Sequence, residues 1–207
     1  MTKLYKITDS EDQTYNNCQW GEGITIKTSG QGEMCGRGFT HWYIDPKLAV
    51  LFNPIHGDFD LETAHLWEGE GEIIKEDGLK VGCIEATTIK RIDFPIISTE
   101  QKVKFAILCA LEVYNEEKFV RWAHNWLDNI DRTETTTKAA EEVAVQAAEA
   151  SKWAAARAAE AAAEAAAEAA KAAKAAAKAA TRAAEAAWVA TKNIDFVKII
   201  DKVLDNN

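Results

Sequence analysis

Apolar and polar residues alternate from Leu4 to Ile7, the period of a half-buried strand, and the polar run Thr8–Asp12 closes it. Strand character returns over Trp20–Lys27 after a turn, and then come four glycines in ten residues, Ser29–Gly38. That density predicts a loop with left-handed or closely approached backbone. Phe39–Ile44 is strongly β-prone, and Asp45-Pro46 supplies an N-cap and an N1 proline for a short helix. The helix is expected to run from Pro46 to about Phe52 and to stop at Asn53-Pro54. Residues 66–92, folded about Asp77-Gly78, predict a β-hairpin or meander.

The period then changes to that of a helix. Ser98 and Gln101 have the spacing of a capping box. Val103, Ile107, Ala110, Leu111 and Tyr114 form one face behind it, while Phe105 and Leu108 cover much of the other, so this helix should be buried. A second helix is expected from about Asn115, with Phe119, Trp122, Trp126 and Ile130 on one face and His124 opposite. The predicted class is α+β, a β-rich N-terminal head with two helices followed by a long alanine-rich α-helix. Its expected parts are the head over residues 1–132, the alanine-rich helix over 133–192, and a short amphipathic helix over 193–207.

Alanine supplies 31 of the 54 residues from Lys138 to Thr191, without Gly or Pro, which predicts one helix roughly 80 Å long. Glu160, Glu164 and Glu168 precede Lys171, Lys174, Lys178 and Arg182 on a single stripe, an order that complements the helix dipole. A bare alanine face of this width invites close packing of another helix. The expected partner is a second copy, with Trp153, Ala162, Ala166, Ala173, Ala177, Ala184 and Trp188 at the contact, or else the protein's own head. A lone spacer helix is the alternative. Alanine-rich antifreeze helices are similar in composition and eleven-residue period, but here only Thr137 and Thr181 lie in phase.

Charge narrows the partners. Residues 138–207 hold ten acids and ten bases, so the net −9 belongs to residues 1–137, with 23 acids against 14 bases. An acidic surface without Lys/Arg clusters argues against nucleic acid. No strongly apolar run of membrane-spanning length or secretory signal is present, so a cytoplasmic location is expected. Cys18, Cys35, Cys83 and Cys109 show no paired spacing and are expected to be reduced. Cys35, His41, His56 and His65 have metal-ligand chemistry but no ligand spacing, so neither metal nor cofactor is expected. Ser10, Ser29, Ser98 and Ser151 are read as loop or cap residues, with no nucleophile elbow.

Two resemblances follow from longer motifs. The stretches Gly32–Pro46, Leu48–His56, Leu4–Asp9, Phe105–Tyr114, Trp122–Trp126, Asp131–Thr133 and Ile194–Val197 resemble a family of small uncharacterised bacterial and phage proteins with an alanine-rich C-terminal part. That resemblance implies an accessory protein, in the host cytoplasm if phage-encoded, acting on a host or defence component. Gly38–Ala49 is similar to the aromatic strand and short helix of ADP-ribosyltransferase-like folds. It implies a nucleotide- or NAD-binding pocket with His41 and Tyr43 beside the nicotinamide and Glu68, Glu70 or Glu72 as the acid, although Lys6 stands where those folds carry Arg or His. The candidate ligand-binding residues are Cys35, Arg37, His41, Tyr43, His56 and Trp67. The leading expectation is a non-enzymatic, oligomeric interaction protein, and the alternatives are a nucleotide-binding or transferase-like head and a structural spacer.

Overall fold

A computed structural model describes residues 1–140, 161–166, 173–191 and 193–204, and it divides the chain into two compact units, Met1–Ile96 and Ile97–Asn207. The fold is α+β, with antiparallel strands in the first unit and helices in the second. This division groups the two helices expected in the head with the alanine-rich segment.

The first unit is built on two sheets. β1 (Thr2–Thr8), β6 (His65–Gly71), β9 (Glu85–Ile92) and β4 (Thr25–Lys27) form an antiparallel sheet in the order β1-β6-β9-β4. β5 (Thr40–Trp42), β8 (Val81–Cys83) and β7 (Lys75–Glu76) form a second, and Tyr5 pairs with Tyr43 across a single bridge between them. β2 (Gln13–Thr14) and β3 (Cys18–Gln19) make a small hairpin closed by a 3-10 turn, Tyr15–Asn17. Leu4, Trp20, Trp42, Val81, Cys83 and Ala86 pack as one apolar cluster, with Trp20 and Trp42 edge-to-face at 5.2 Å. The register of β6 on β9 shifts between Glu68 and Gly69. A Cβ at Gly69 would lie 2.7 Å from the Trp42 ring, so only glycine lets the indole seat there.

Helix α1 (Pro46–His56) begins as its sequence predicts, with Asp45 accepting from the Lys47 amide and Pro46 at N1. It does not stop at Asn53-Pro54. Pro54 falls in the last turn, at the loss of one amide donor, and the helix is capped at Gly57 instead. The buried Asn53 makes this possible: its amide donates to Phe59 O and its Oδ1 accepts from Phe59 N, tying down the exit.

The second unit contains α2 (Thr99–Leu111), α3 (Glu117–Leu127), helical residues 134–140 (α4) and 161–166 (α5), α6 (Ala173–Thr191) and α7 (Phe196–Leu204). Both halves of the Ser98/Gln101 capping box are present. Phe119, Trp122 and Trp126 are buried, but α3 ends at Leu127, so Ile130 falls beyond the apolar face and is 71% exposed.

A single straight alanine-rich helix is not what forms. Glu164 and Arg182, 18 residues apart, would be about 27 Å apart along one helix axis. Their side chains instead form an ion pair at 4.0 Å. α6 packs along α2, and Ala179, Ala180, Ala183, Ala184 and Ala187 are buried. Alanine composition sets helicity, whereas α2 determines what covers the face. Thr137 and Thr181 are buried as well and form no exposed threonine row.

Candidate functional site

Three polar groupings stand out in the first unit, each assembled from residues distant in sequence. The first surrounds Lys6. Alternation on β1 turns this side chain inward, where its ammonium donates to His41 O at 2.6 Å and lies 4.6 and 4.7 Å from the rings of Trp20 and Trp42. Burial pushes its pKa down to about 8, because the charged form has lost its water. Two indole faces and one carbonyl only partly replace that water.

The second grouping joins β5, α1 and the turn before β8. His41 donates from Nε2 to Met34 O, which fixes the Gly-rich loop against β5. The Tyr43 hydroxyl and His56 Nδ1 share a hydrogen bond of 2.6 Å, and Tyr43, Phe52 and His56 lie nearly parallel, with centroids 5.6–6.4 Å apart. Asp77 accepts from the amides of Leu79 and Lys80 and pairs with the Lys80 ammonium at 3.3 Å. Burial lowers the pKa of His41, and takes that of His56 down to about 4, with the Lys80 charge acting the same way on both. Burial also raises Tyr43 far above the usual phenol range. At neutral pH both imidazoles and the phenol are therefore uncharged. Burial opposes the Asp77 carboxylate, but the Lys80 and Leu79 amides and the Lys80 ammonium outweigh it and hold its pKa low.

The third grouping is centred on Asp12. Oδ1 accepts from His65 Nδ1 at 2.8 Å and from Trp67 Nε1 at 3.1 Å, while Oδ2 takes the Arg91 guanidinium, which also lies over the Trp67 ring. Burial works against this carboxylate, yet the bonds from His65, Arg91 and Trp67 keep its pKa below the ordinary value. The Asp12 backbone is left-handed at φ 60°, and its carbonyl accepts from Trp20 N at 2.8 Å. Asp12 thus ties the start of the β2–β3 hairpin to β6 and β9. Two further non-glycine residues, Asn16 (φ 63°) and Asn17 (φ 54°), occupy the same strained region at its tip. Beside them Tyr15 is 84% exposed. Asp9 Oδ1 accepts from the amides of Glu11 and Gln13, and Trp20 Nε1 donates to Thr14 Oγ1, so the hairpin is held at its base and along its length.

The expected ligand-binding residues therefore separate. His41, Tyr43 and His56 come together, joined by Asp77 and Lys80, which the sequence reading did not include. Trp67 belongs to the Asp12 grouping. Cys35 and Arg37 are exposed on the Gly-rich loop, with no hydrogen bond to the histidines. Glu68 is paired with Lys3 at 3.1 Å and Lys90 at 3.9 Å. Among the described residues, no three His, Cys, Asp or Glu side chains converge as metal ligands would. Nor does any described helix have the length and apolarity to cross a membrane. Of the expected oligomer contacts, Ala162 and Ala184 are buried within the second unit, Ala166 is half-buried, and Trp188 lies tilted against Phe196 with centroids 6.2 Å apart. Trp153 and the side chains of Ala173 and Ala177 lie outside the described residues.

No protein-family model, curated protein or solved structure matches the chain.

Proposed function

We propose that the chain is a non-enzymatic interaction protein, in which the first unit recognises a protein partner through the β2–β3 hairpin. The observation that carries this reading is the combination at the hairpin. Left-handed Asp12 is held at the base by a dense hydrogen-bond network, two further left-handed residues, Asn16 and Asn17, form the tip, and the large side chain there, Tyr15, points into solvent. Strained backbone that the surroundings over-determine collects at functional sites. A loop ordered in advance avoids the entropy that binding would otherwise cost, and Tyr is a frequent anchor residue of interfaces.

The buried thiols and the Tyr43 phenol are not activated as nucleophiles. Burial pushes the Cys83 thiol up to about 11 and raises Cys109 and Tyr43 well above their ordinary values, so these nucleophiles stay protonated and weak. The alanine face of α6 is covered by α2, which supports a reading in which a partner is met by the first unit rather than by self-association through alanine.

A photo-crosslinking amino acid at position 15 tests this reading, with position 62 as an exposed control on the same unit. The expected result is a discrete protein adduct from position 15 that is absent from position 62 and lost in an Asp12→Ala background. Equal labelling from both positions, or no adduct, would overturn it.

A second reading has its own observation, the convergence of His41, Tyr43 and His56 with Lys80. A planar, nucleotide-like ligand would find aromatic faces and one cation there. Under this reading, ATP or NAD raises the melting temperature of the chain, and His56→Ala abolishes the shift.

A further inference from the structure

Two polar atoms of the second unit are buried without a use in the fold. Tyr114 lies just beyond α2 and Trp122 on α3, and both pack on Phe119, with ring centroids 5.2 and 5.3 Å away. Trp122 is only 6% exposed, yet among the described residues neither its Nε1 nor the buried Tyr114 Oη has a hydrogen-bond partner. A buried indole normally finds one, because an unpaired N–H has given up its bond to water without replacement. The buried indoles of the first unit follow that rule. Trp20 donates to Thr14 Oγ1, Trp42 to Thr40 Oγ1 and Trp67 to Asp12 Oδ1.

Both unpaired atoms offer a hydrogen. The indole nitrogen only donates, and burial together with the Glu116 charge raises the Tyr114 pKa, so the phenol keeps its proton. Acceptors at this corner are already engaged: Glu116 caps α3 through the Phe119 amide at 2.9 Å, and Ala110 O takes the amides of Val113 and Tyr114. α3 touches α2 at few positions, whereas α6 lies along it, so a shift of α3 leaves the alanine packing intact.

We propose that the Tyr114–Phe119–Trp122 corner is a binding site for a flat, uncharged, apolar molecule that carries a carbonyl oxygen. The rings of such a molecule stack beside Phe119 as α3 moves aside. Its oxygen, with two lone pairs, accepts from Trp122 Nε1 and Tyr114 Oη. A hydrocarbon of the same shape leaves both donors unpaired, and a charged molecule would lose its water to an apolar setting. The site belongs to the second unit and does not depend on the reading of the hairpin.

Indanone and indane, flat two-ring molecules that differ by one carbonyl, are titrated into the full, isotope-labelled chain. The seven indole N–H signals are followed by NMR, and that of Trp122 is identified by its absence in Trp122→Phe. Indanone moves the Trp122 signal saturably. Tyr114→Phe and Trp122→Phe each weaken indanone by about five- to tenfold and leave indane within about twofold. Tyr114→Phe removes only an unpaired hydroxyl and melts at or above the wild-type temperature, so it carries the test even where Trp122→Phe folds poorly. A Trp122 signal that indanone leaves in place, or an indanone affinity unchanged in Tyr114→Phe, would overturn the inference.

Discussion

The two units reach stability by opposite routes. The first packs large aromatic side chains against one another and ties distant segments together through single polar hubs, Lys6 and Asp12. The second brings helix backbones close through small side chains, with buried alanines along α6 facing α2 and aromatic residues gathered near α7. The first is therefore vulnerable to loss of volume or of a hydrogen-bond partner, and the second to added volume. Polar hubs also position loops, and the first unit is the one that presents a strained, ordered hairpin. Alanine packing positions helices and little else.

The sharpest way to break this contrast is to exchange the insults. Trp42→Ala removes the ring on which Trp20, Lys6 and Gly69 all pack, and should cost about 3–5 kcal/mol in denaturant unfolding. Ala184→Leu forces a branched side chain into a fully buried alanine position of α6, and should cost about 1–3 kcal/mol by overpacking. An Ala184→Leu variant as stable as the wild type would mean that the alanine face is not closely packed.

Lys6 sharpens the contrast through pH. Its pKa falls from the ordinary 10.5 to about 8 on folding, so between these values the unfolded chain binds more protons than the native one. The stability cost of the buried charge is fully present below pH 8 and is relieved as pH rises towards 10.5, by at most about 3 kcal/mol. Cys83 acts in the opposite sense, losing stability above pH 9, because its folded pKa is raised to about 11. Comparison with Lys6→Met, which keeps Cys83, isolates the lysine. Wild-type stability relative to Lys6→Met should rise between pH 7.5 and 10.5, and a flat difference would contradict burial of the charge.

Two smaller effects complete the order. Ser98→Ala removes half of the capping box and should cost about 1 kcal/mol in the same unfolding assay. Arg182→Ala breaks an exposed ion pair to Glu164 at 4.0 Å and should change stability by less than about 0.5 kcal/mol.

What the sequence revealed follows the range of each interaction. The Ser98 cap, the Asp45-Pro46 helix start and the Asp77-Gly78 turn depend on residues two to four apart, and all form as expected. His41, Tyr43 and His56 could be named together because β5 and α1 are consecutive. Asp12 and Arg91 are 79 residues apart, and no local pattern links them. Lys6 was equally hidden, since a lysine in an alternating strand normally marks the solvent face. The alanine-rich segment misled for a related reason. Propensity favours a helix of any length, and only the tertiary partner α2 decides how the helical stretches are arranged.

The central claim is that the hairpin is ordered before any partner arrives, and amide hydrogen exchange on the isolated chain tests it most directly. The Gln13 amide donates to Asp9 Oδ1 and the Trp20 amide to Asp12 O, so both should exchange as slowly as amides of β1 and β6. Asp12→Ala should accelerate these two selectively, without loss of protection in β1. Exchange of the wild-type hairpin amides at the rate of an unstructured peptide would contradict the account.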